Sequence, residues 1–132
     1  MIVVDTSALI AILRSEADAT KIAQALGEAD RRLISASTLL EAGIVTVRRS
    51  DEHSRLMELV RRAQLEVVAT SEAEMRAGIV AARRYGRGSG HPASLNFGDC
   101  FAYALAKTRN LPLLFKGDDF VHTDIEPALK PA

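Results

Sequence analysis

The stretch Met1-Ile2-Val3-Val4-Asp5-Thr6-Ser7-Ala8-Leu9 opens the chain and sets its architecture. Three consecutive apolar, β-branched residues without polar alternation describe a strand buried on both faces, the kind found in parallel sheets. The run ends abruptly at Asp5, and Thr6 and Ser7 are residue types that start helices. A strand at about 2–5 followed at once by a helix at about 7–13 is the first half of a βαβ unit.

Outward from this stretch the alternation continues. A helix is predicted at about 17–28, divided from the first near Arg14-Ser15, then a short strand at about 32–35 and helices at about 38–49 and 52–63. A weak strand follows in Leu65-Glu66-Val67-Val68, and a helix at about 71–85 carries Met75, Ile79 and Ala82 at helical spacing. Past a Gly-rich loop at 86–92, a helix at about 97–109 precedes a strand at 112–115, and the tail Thr123-Asp124-Ile125 is expected to add an edge strand. Strands alternating with helices predict an α/β class with a parallel sheet covered on both faces.

A length of 132 residues with 48% hydrophobic content predicts one domain over 1–132. The apolar runs fall well short of the ~20 residues that cross a bilayer, and Met1 leads into a strand without a basic segment, so a cytoplasmic protein with no membrane partner is expected.

A formal net charge of zero excludes a global basic field, so any nucleic-acid binding must be local. Of the 17 basic residues 13 are arginine, the side chain that forks onto phosphates. Arg83, Arg84 and Arg87 form the densest group; they and Lys116 are candidates for phosphate contacts, while a solvated helix end serves equally for the arginines. The single cysteine, Cys100, excludes an internal disulfide and is expected to be a small buried side chain. His53, His91 and His122 fall in polar surroundings and are expected at the surface, outside any catalytic role.

The chemistry is carried by acids. Asp5 follows the first strand, Asp118 and Asp119 follow the last, and Glu41 and Asp99 fall near the starts of two helices. In a parallel sheet such positions converge in the crevice beyond the strand ends. Capping accounts for any one of them: Asp5 or Thr6 as an N-cap, Thr38-Leu39-Leu40-Glu41 as a capping box, and Asn96-Phe97-Gly98-Asp99 as a capped helix start. It does not account for acids at four such junctions in apolar surroundings. Clustered carboxylates repel unless a cation neutralises them, and hard oxygen ligands suit Mg²⁺ or Mn²⁺.

Together these segments resemble the PIN-domain ribonucleases, and within them the VapC-like toxins of bacterial toxin–antitoxin pairs. The resemblance spans nearly the whole chain: Asp5-Thr6-Ser7-Ala8 after the first strand, Ser37-Thr38-Leu39-Leu40-Glu41-Ala42, Asp99 before Ala102-Tyr103-Ala104-Leu105-Ala106, and Asp118-Asp119-Phe120. It implies a three-layer α/β/α Rossmann-like PIN domain, a Mg²⁺- or Mn²⁺-dependent endoribonuclease acting on RNA, homodimerisation, and inhibition by a cognate antitoxin. Residue by residue it implies a metal-binding, catalytic set of Asp5, Glu41, Asp99 and an acid after the last strand, with Thr6 and Ser7 in support. The family commonly reads Thr-x-Asp-x-Asp-Phe where this chain reads Phe115-Lys116-Gly117-Asp118-Asp119-Phe120, which leaves Asp118 and Asp119 both open; Asp118, nearer the strand end, is preferred. An antitoxin segment would enter an apolar groove between the early helices, with Leu9, Leu13 and Leu39 as candidate walls.

Three other readings compete. A phosphoaspartate receiver-like signalling domain has similar length and a lysine after its last strand, but wants an acidic pair after the first strand and an Asp after a middle one, where this chain has a single Asp5 and Leu65-Glu66-Val67-Val68-Ala69-Thr70. A haloacid-dehalogenase-like phosphatase wants Asp-x-Asp, and Ser7 stands at the second position. A catalytically silent module that only binds a partner is the non-enzymatic alternative.

Overall fold

Strands β1 (Ile2–Val4), β2 (Arg32–Ser35), β3 (Glu66–Val68) and β4 (Leu113–Leu114) pair in parallel in the order β3-β2-β1-β4. The computed structural model describes residues 1–130; Pro131 and Ala132, the end of the expected domain, lie outside the described residues. The helices between the strands are α1 (Thr6–Leu13), α2 (Ala19–Glu28), α3 (Ala36–Thr46), α4 (Ser50–Arg62), α5 (Glu72–Tyr85) and α6 (Phe97–Arg109). The chain winds outward from β1 to β2 and β3, then crosses back to β4, so the strand order reverses between β1 and β4. Parallel α/β sheets bind their ligands at such a switch point. A receiver-like sheet would place β3 beside β1; here β3 lies beyond β2, at the edge, and that reading is set aside.

Strand alternation sends side chains into two cores. Ile2, Val4, Ile34 and Leu114 pack with α1, α2 and α4 residues such as Leu9, Ile22 and Leu56, while Val3, Leu33 and Leu113 pack with α5 and α6 residues such as Tyr85, Ala102 and Leu105. Each fully buried aliphatic side chain contributes roughly 1.5–3 kcal/mol. Helix α3 touches helices of both layers, α1 and α4 on one side and α6 on the other.

Capping chemistry explains most boundaries. Ser71 and Glu74 form a reciprocal capping box at α5, and α6 stops at Asn110, whose φ of 54° is the left-handed conformation of a helix end. Helix α2 lacks such an end; instead the Arg32 guanidinium donates to the carbonyls of Leu26, Gly27 (3.1 Å) and Ala29 (2.7 Å), and to Ala63 (3.1 Å) after α4. One side chain thus satisfies the orphan carbonyls of two helices.

Two expected elements differ. Helix α3 begins at Ala36, two residues early, because Ser35 rather than Thr38 is its N-cap, with the Ser35 side chain accepting from the Ser37 amide. No strand forms at 123–125: Thr123 Oγ1 donates to the Phe120 carbonyl and accepts from the Ile125 amide, which keeps this segment turned. The tail touches the sheet only two residues later, where Leu113 N donates to Glu126 O (2.9 Å) and Ala128 N donates to Leu113 O (2.8 Å).

Candidate active site

Asp5 occupies the C-terminal end of the central strand and is the N-cap of α1. Its Oδ2 accepts from the Ser7 amide (3.0 Å) and the Ser7 hydroxyl (2.6 Å), and Ser7 Oγ accepts in turn from the Lys116 amide (3.0 Å), tying the end of β1 to the end of β4. The capping role is therefore real, but it engages one oxygen only. Asp5 Oδ1 is buried with no hydrogen-bond partner, in a residue only 3% exposed. An unpartnered buried acceptor is costly; Thr38 Oγ1 and Glu74 Oε1 share that condition, so what sets Asp5 apart is the acids that surround it.

Asp99 stands in the first turn of α6. Its Oδ2 accepts from the Asn96 amide (3.0 Å) while the Asn96 side chain accepts from the Asp99 amide (2.9 Å), so the expected cap is present and also fixes the carboxylate. Glu41 is different: with α3 starting at Ala36 it sits in the helix middle, and the expected capping box around it does not form. Its carboxylate instead lies against α6, where a Cβ at Gly98 would overlap it. With glycine at that position the Glu41 carboxylate lies directly over the backbone at the start of α6, on the side of Asp99.

Asp5, Glu41, Asp99 and Asp119 line one shallow pocket of about 340 Å³ at the switch point, together with Ser7, Asn96, Glu16 and Lys116. Asp118 does not line it: the chain turns through Gly117 (φ 101°) after β4, and Asp118 faces a neighbouring cavity while Asp119 enters the pocket. Of the two acids left open, Asp119 rather than the preferred Asp118 lines the pocket, since order along the chain past a left-handed glycine does not translate into distance from it. Glu16 was not foreseen; Ser15, with φ 50°, turns the chain so that the Glu16 amide reaches back to Ala11, a reversal with no sequence signature.

The electrostatics follow from burial and like charge. Burial pushes the Asp5 carboxyl up to about 7, against the lowering effect of the Ser7 hydrogen bonds, and the charges of Asp99 and Glu41 add to the rise. Asp99 is pushed up to about 6, first by burial, then by Asp119 and Glu41, with the Asn96 amide and the Arg87 charge opposing. Among the described residues no three acid, histidine or cysteine side chains are closed tightly enough to hold an ion as they stand. The donor set is nonetheless all oxygen, with an orphaned buried Asp5 Oδ1 at its centre, which fits a hard divalent cation.

The supporting residues divide. Ser7 orients Asp5, whereas Thr6 Oγ1 donates to the Thr38 carbonyl (3.0 Å) and ties α1 to α3. Lys116 lines the pocket and its ammonium lies 3.4 Å from Asp18. Arg87 is close enough to bias Asp99, but Arg84 stacks on Tyr85 and approaches Asp124, and Arg83 points to solvent outside the pocket. None of the histidines lines it: His122 is exposed as expected, while His53 and His91 are half-buried, His53 bonded to Thr46 and His91 packed edge-to-face against Tyr85. The Cys100 thiol is half-buried and pushed up by burial and by Asp99, so it is no nucleophile. Leu9 and Leu13 are core residues and Leu39 packs against them, so the expected groove between the early helices is filled.

The PIN domain family profile matches residues 2–126. The chain belongs to the PIN-domain family. Within it, the chain is 50% identical over 129 residues to Ribonuclease VapC28 of Mycobacterium tuberculosis, covering 96% of this chain and 97% of that protein. It is 46% identical over 132 residues to Ribonuclease VapC30 of the same species, covering 98% and 99%. Among solved structures, Mycobacterium tuberculosis VapC20, titled a sarcin-ricin loop cleaving toxin, superposes with a TM-score of 0.71 at 17% identity, covering 96% of this chain and all of that one. VapBC2 from Rickettsia felis, bound to a DNA fragment from its promoter, gives 0.73 at 16% identity over 96% and 97%. At those identities the structures establish the PIN fold, the three-layer Rossmann-like arrangement, and the VapC relatives establish the branch of the family. No helix among the described residues is long and apolar enough to cross a membrane.

Proposed function

We propose that this PIN-domain protein is a Mg²⁺- or Mn²⁺-dependent endoribonuclease, the toxin of a toxin–antitoxin pair, neutralised by a cognate antitoxin. The observation that carries the metal-dependent site is Asp5: a buried carboxylate with one unpartnered oxygen, surrounded by Asp99, Glu41 and Asp119. Those four residues would hold the ion, which when bound supplies an activated water nucleophile and screens the phosphodiester. The chain's own groups do the positioning. Ser7 fixes Asp5, the Asn96 amide fixes Asp99, Gly98 admits Glu41, and Lys116 and Arg87 face the negative strand at the rim.

Exposed apolar side chains on α3 (Leu40, Ile44) and on α5 and α6 (Met75, Ile79, Phe97) are more than solvent tolerates singly, and they suit a homodimer and an antitoxin segment better than the filled groove between the early helices. Incubation of the purified chain with single-stranded RNA should give internal cleavage in Mg²⁺ or Mn²⁺ and none with chelator, and co-expression with the antitoxin should silence it. Cleavage that persists in chelator would remove the metal from the reading; retention of label from an acyl phosphate donor, without cleavage, would replace the nuclease with a signalling domain.

A further inference from the structure

The carboxylate pocket shares Lys116 with a second cavity of about 360 Å³, formed by the start of α2, the turn after β4 and the tail. We infer that this cavity is a phosphate subsite, in which Lys21, Lys116 and Lys130 bind a phosphodiester of the RNA strand flanking the scissile bond; the inference rests on the endoribonuclease reading of the carboxylate pocket.

Composition gives the first reason. The chain has four lysines against 13 arginines, yet three of the lysines and none of the arginines line this one cavity. Some arginines elsewhere in the chain serve structure, as in the Arg14–Glu52 ion pair and the Arg32 caps. Three ammonium groups outnumber the two carboxylates, Asp18 and Asp118, on the same walls. Phosphate contacts of this kind carry no sequence information but fix where a strand lies.

Need gives the second. Among the residues lining the carboxylate pocket Lys116 is the sole cation, facing Asp5, Glu16, Glu41, Asp99 and Asp119. A polyanion is repelled there unless cations beside the pocket hold its flanking phosphates. Lys116 is anchored for that role, because its amide bonds the same Ser7 hydroxyl that orients Asp5, which fixes the subsite relative to the catalytic acid.

Availability gives the third. Lys21 and Lys130 are exposed, and the Lys130–Glu126 contact at 3.9 Å joins two solvated side chains. The Lys116–Asp18 pair at 3.4 Å is partly exposed, and such pairs contribute little to stability. Asp18, although at the N-cap position of α2, makes no side-chain capping bond, so its carboxylate is free to give way to a phosphate.

The test is binding of a fluorescent 12-nucleotide single-stranded RNA to the full chain in EDTA, where nothing is cleaved, with cleavage in Mg²⁺ measured separately. Lys21→Gln with Lys130→Gln should weaken binding by about three- to tenfold and flatten the slope of log affinity against log salt by about 0.7, as expected for one lost phosphate contact on a single strand. Lys21→Arg with Lys130→Arg should restore both. Asp18→Asn should tighten binding by about two- to fivefold, because it frees Lys116. Unchanged affinity and slope in the glutamine variant, or weaker binding by Asp18→Asn, overturns the subsite while wild-type cleavage leaves the nuclease reading standing. A wild type that neither cleaves nor binds RNA overturns both.

Discussion

Helix α1 has a buried carboxylate at each end. Beyond its C-terminus Glu52, 6% exposed, accepts two hydrogen bonds of 3.0 Å from the Arg14 guanidinium, which holds its carboxyl below the ordinary range, with Arg49 and Arg55 adding to the effect. At its N-terminus Asp5, 3% exposed, has Ser7 on one oxygen and nothing on the other; burial first, and then the like charges of Asp99 and Glu41, push its carboxyl up to about 7. Both are nearly closed to solvent, but burial dominates at Asp5, whereas at Glu52 it is outweighed by the Arg14 partner. A paired carboxylate completes a structure, whereas one surrounded by like charge leaves the fold with an unrelieved cost, and such costs concentrate at functional sites.

The largest expected effect breaks the comparison if it fails. Asp5→Asn should lower the rate of RNA cleavage by at least ~100-fold, on the scale of losing other electrostatic elements of a transition-state site. Glu52→Gln should leave the rate per folded molecule nearly unchanged and weaken the fold instead. Equal losses of rate in both variants would mean that the pairing difference carries no functional information.

The next comparison lies within one dipeptide. Asp119 lines the pocket and Asp118 the neighbouring cavity. Asp119→Asn should reduce cleavage by about 100-fold and Asp118→Asn by much less. A larger loss in Asp118→Asn would return the fourth acid to the position nearer the strand end.

That dipeptide also marks where the sequence stops being legible. The apolar runs at Ile2–Val4 and Leu113–Leu114 announce buried parallel strands, and Asn96 with Asp99 announces a helix start, because these features rest on local chemistry. Asp118 against Asp119 turns on Gly117 at φ 101°, a backbone choice that residue spacing does not encode. Glu41 looked like a capping acid because Thr38 is a good N-cap, yet Ser35 at the end of β2 captured the helix first. Leu9 and Leu13 read as candidate groove walls and are core, since an apolar side chain carries no mark of which neighbour will cover it. Asp5, Glu41, Asp99 and Asp119 are legible as acids at junctions and Glu16 is not; their convergence depends on α3 packing against α1 and α6, which joins residues far apart in the chain.

A smaller effect is the dependence of stability on pH. Asp5 and Asp99 bind protons more tightly folded than unfolded, being raised from 3.8 to about 7 and about 6. Their contribution is therefore fully present below about pH 4 and is lost as pH rises through 6 and 7. Glu52 has the opposite sign, its contribution being lost as pH falls. In EDTA, the difference in melting temperature between wild type and the Asp5→Asn, Asp99→Asn double variant should grow in the variant's favour from pH 5 to pH 8. Mg²⁺ should stabilise wild type more at pH 8 than at pH 5, because protons compete for the same oxygens. A difference that stays flat across that range would show that neither carboxyl is raised by its site.

The smallest effect, and the one whose sign is most informative, is the melting temperature of Asp99→Asn at pH 8 without metal. A carboxyl held near 6 instead of 3.8 costs the folded state on the order of 3 kcal/mol there. Against that, the variant buries an amide that must find partners, about 1–2 kcal/mol, though its oxygen can still accept from the Asn96 amide in place of the carboxylate. The balance is a gain of about 1 kcal/mol, or about 3–5 °C in a domain of this size. Glu52→Gln should move the other way, since it leaves the Arg14 guanidinium without its carboxylate at the far end of α1. Opposite signs from two acid-to-amide changes of identical chemistry would locate the difference in their neighbours. If Asp99→Asn lowers the melting temperature as Glu52→Gln does, Asp99 is a capping acid whose negative charge stabilises the start of α6, and its repulsion with Glu41 and Asp119 is too weak to call for a cation.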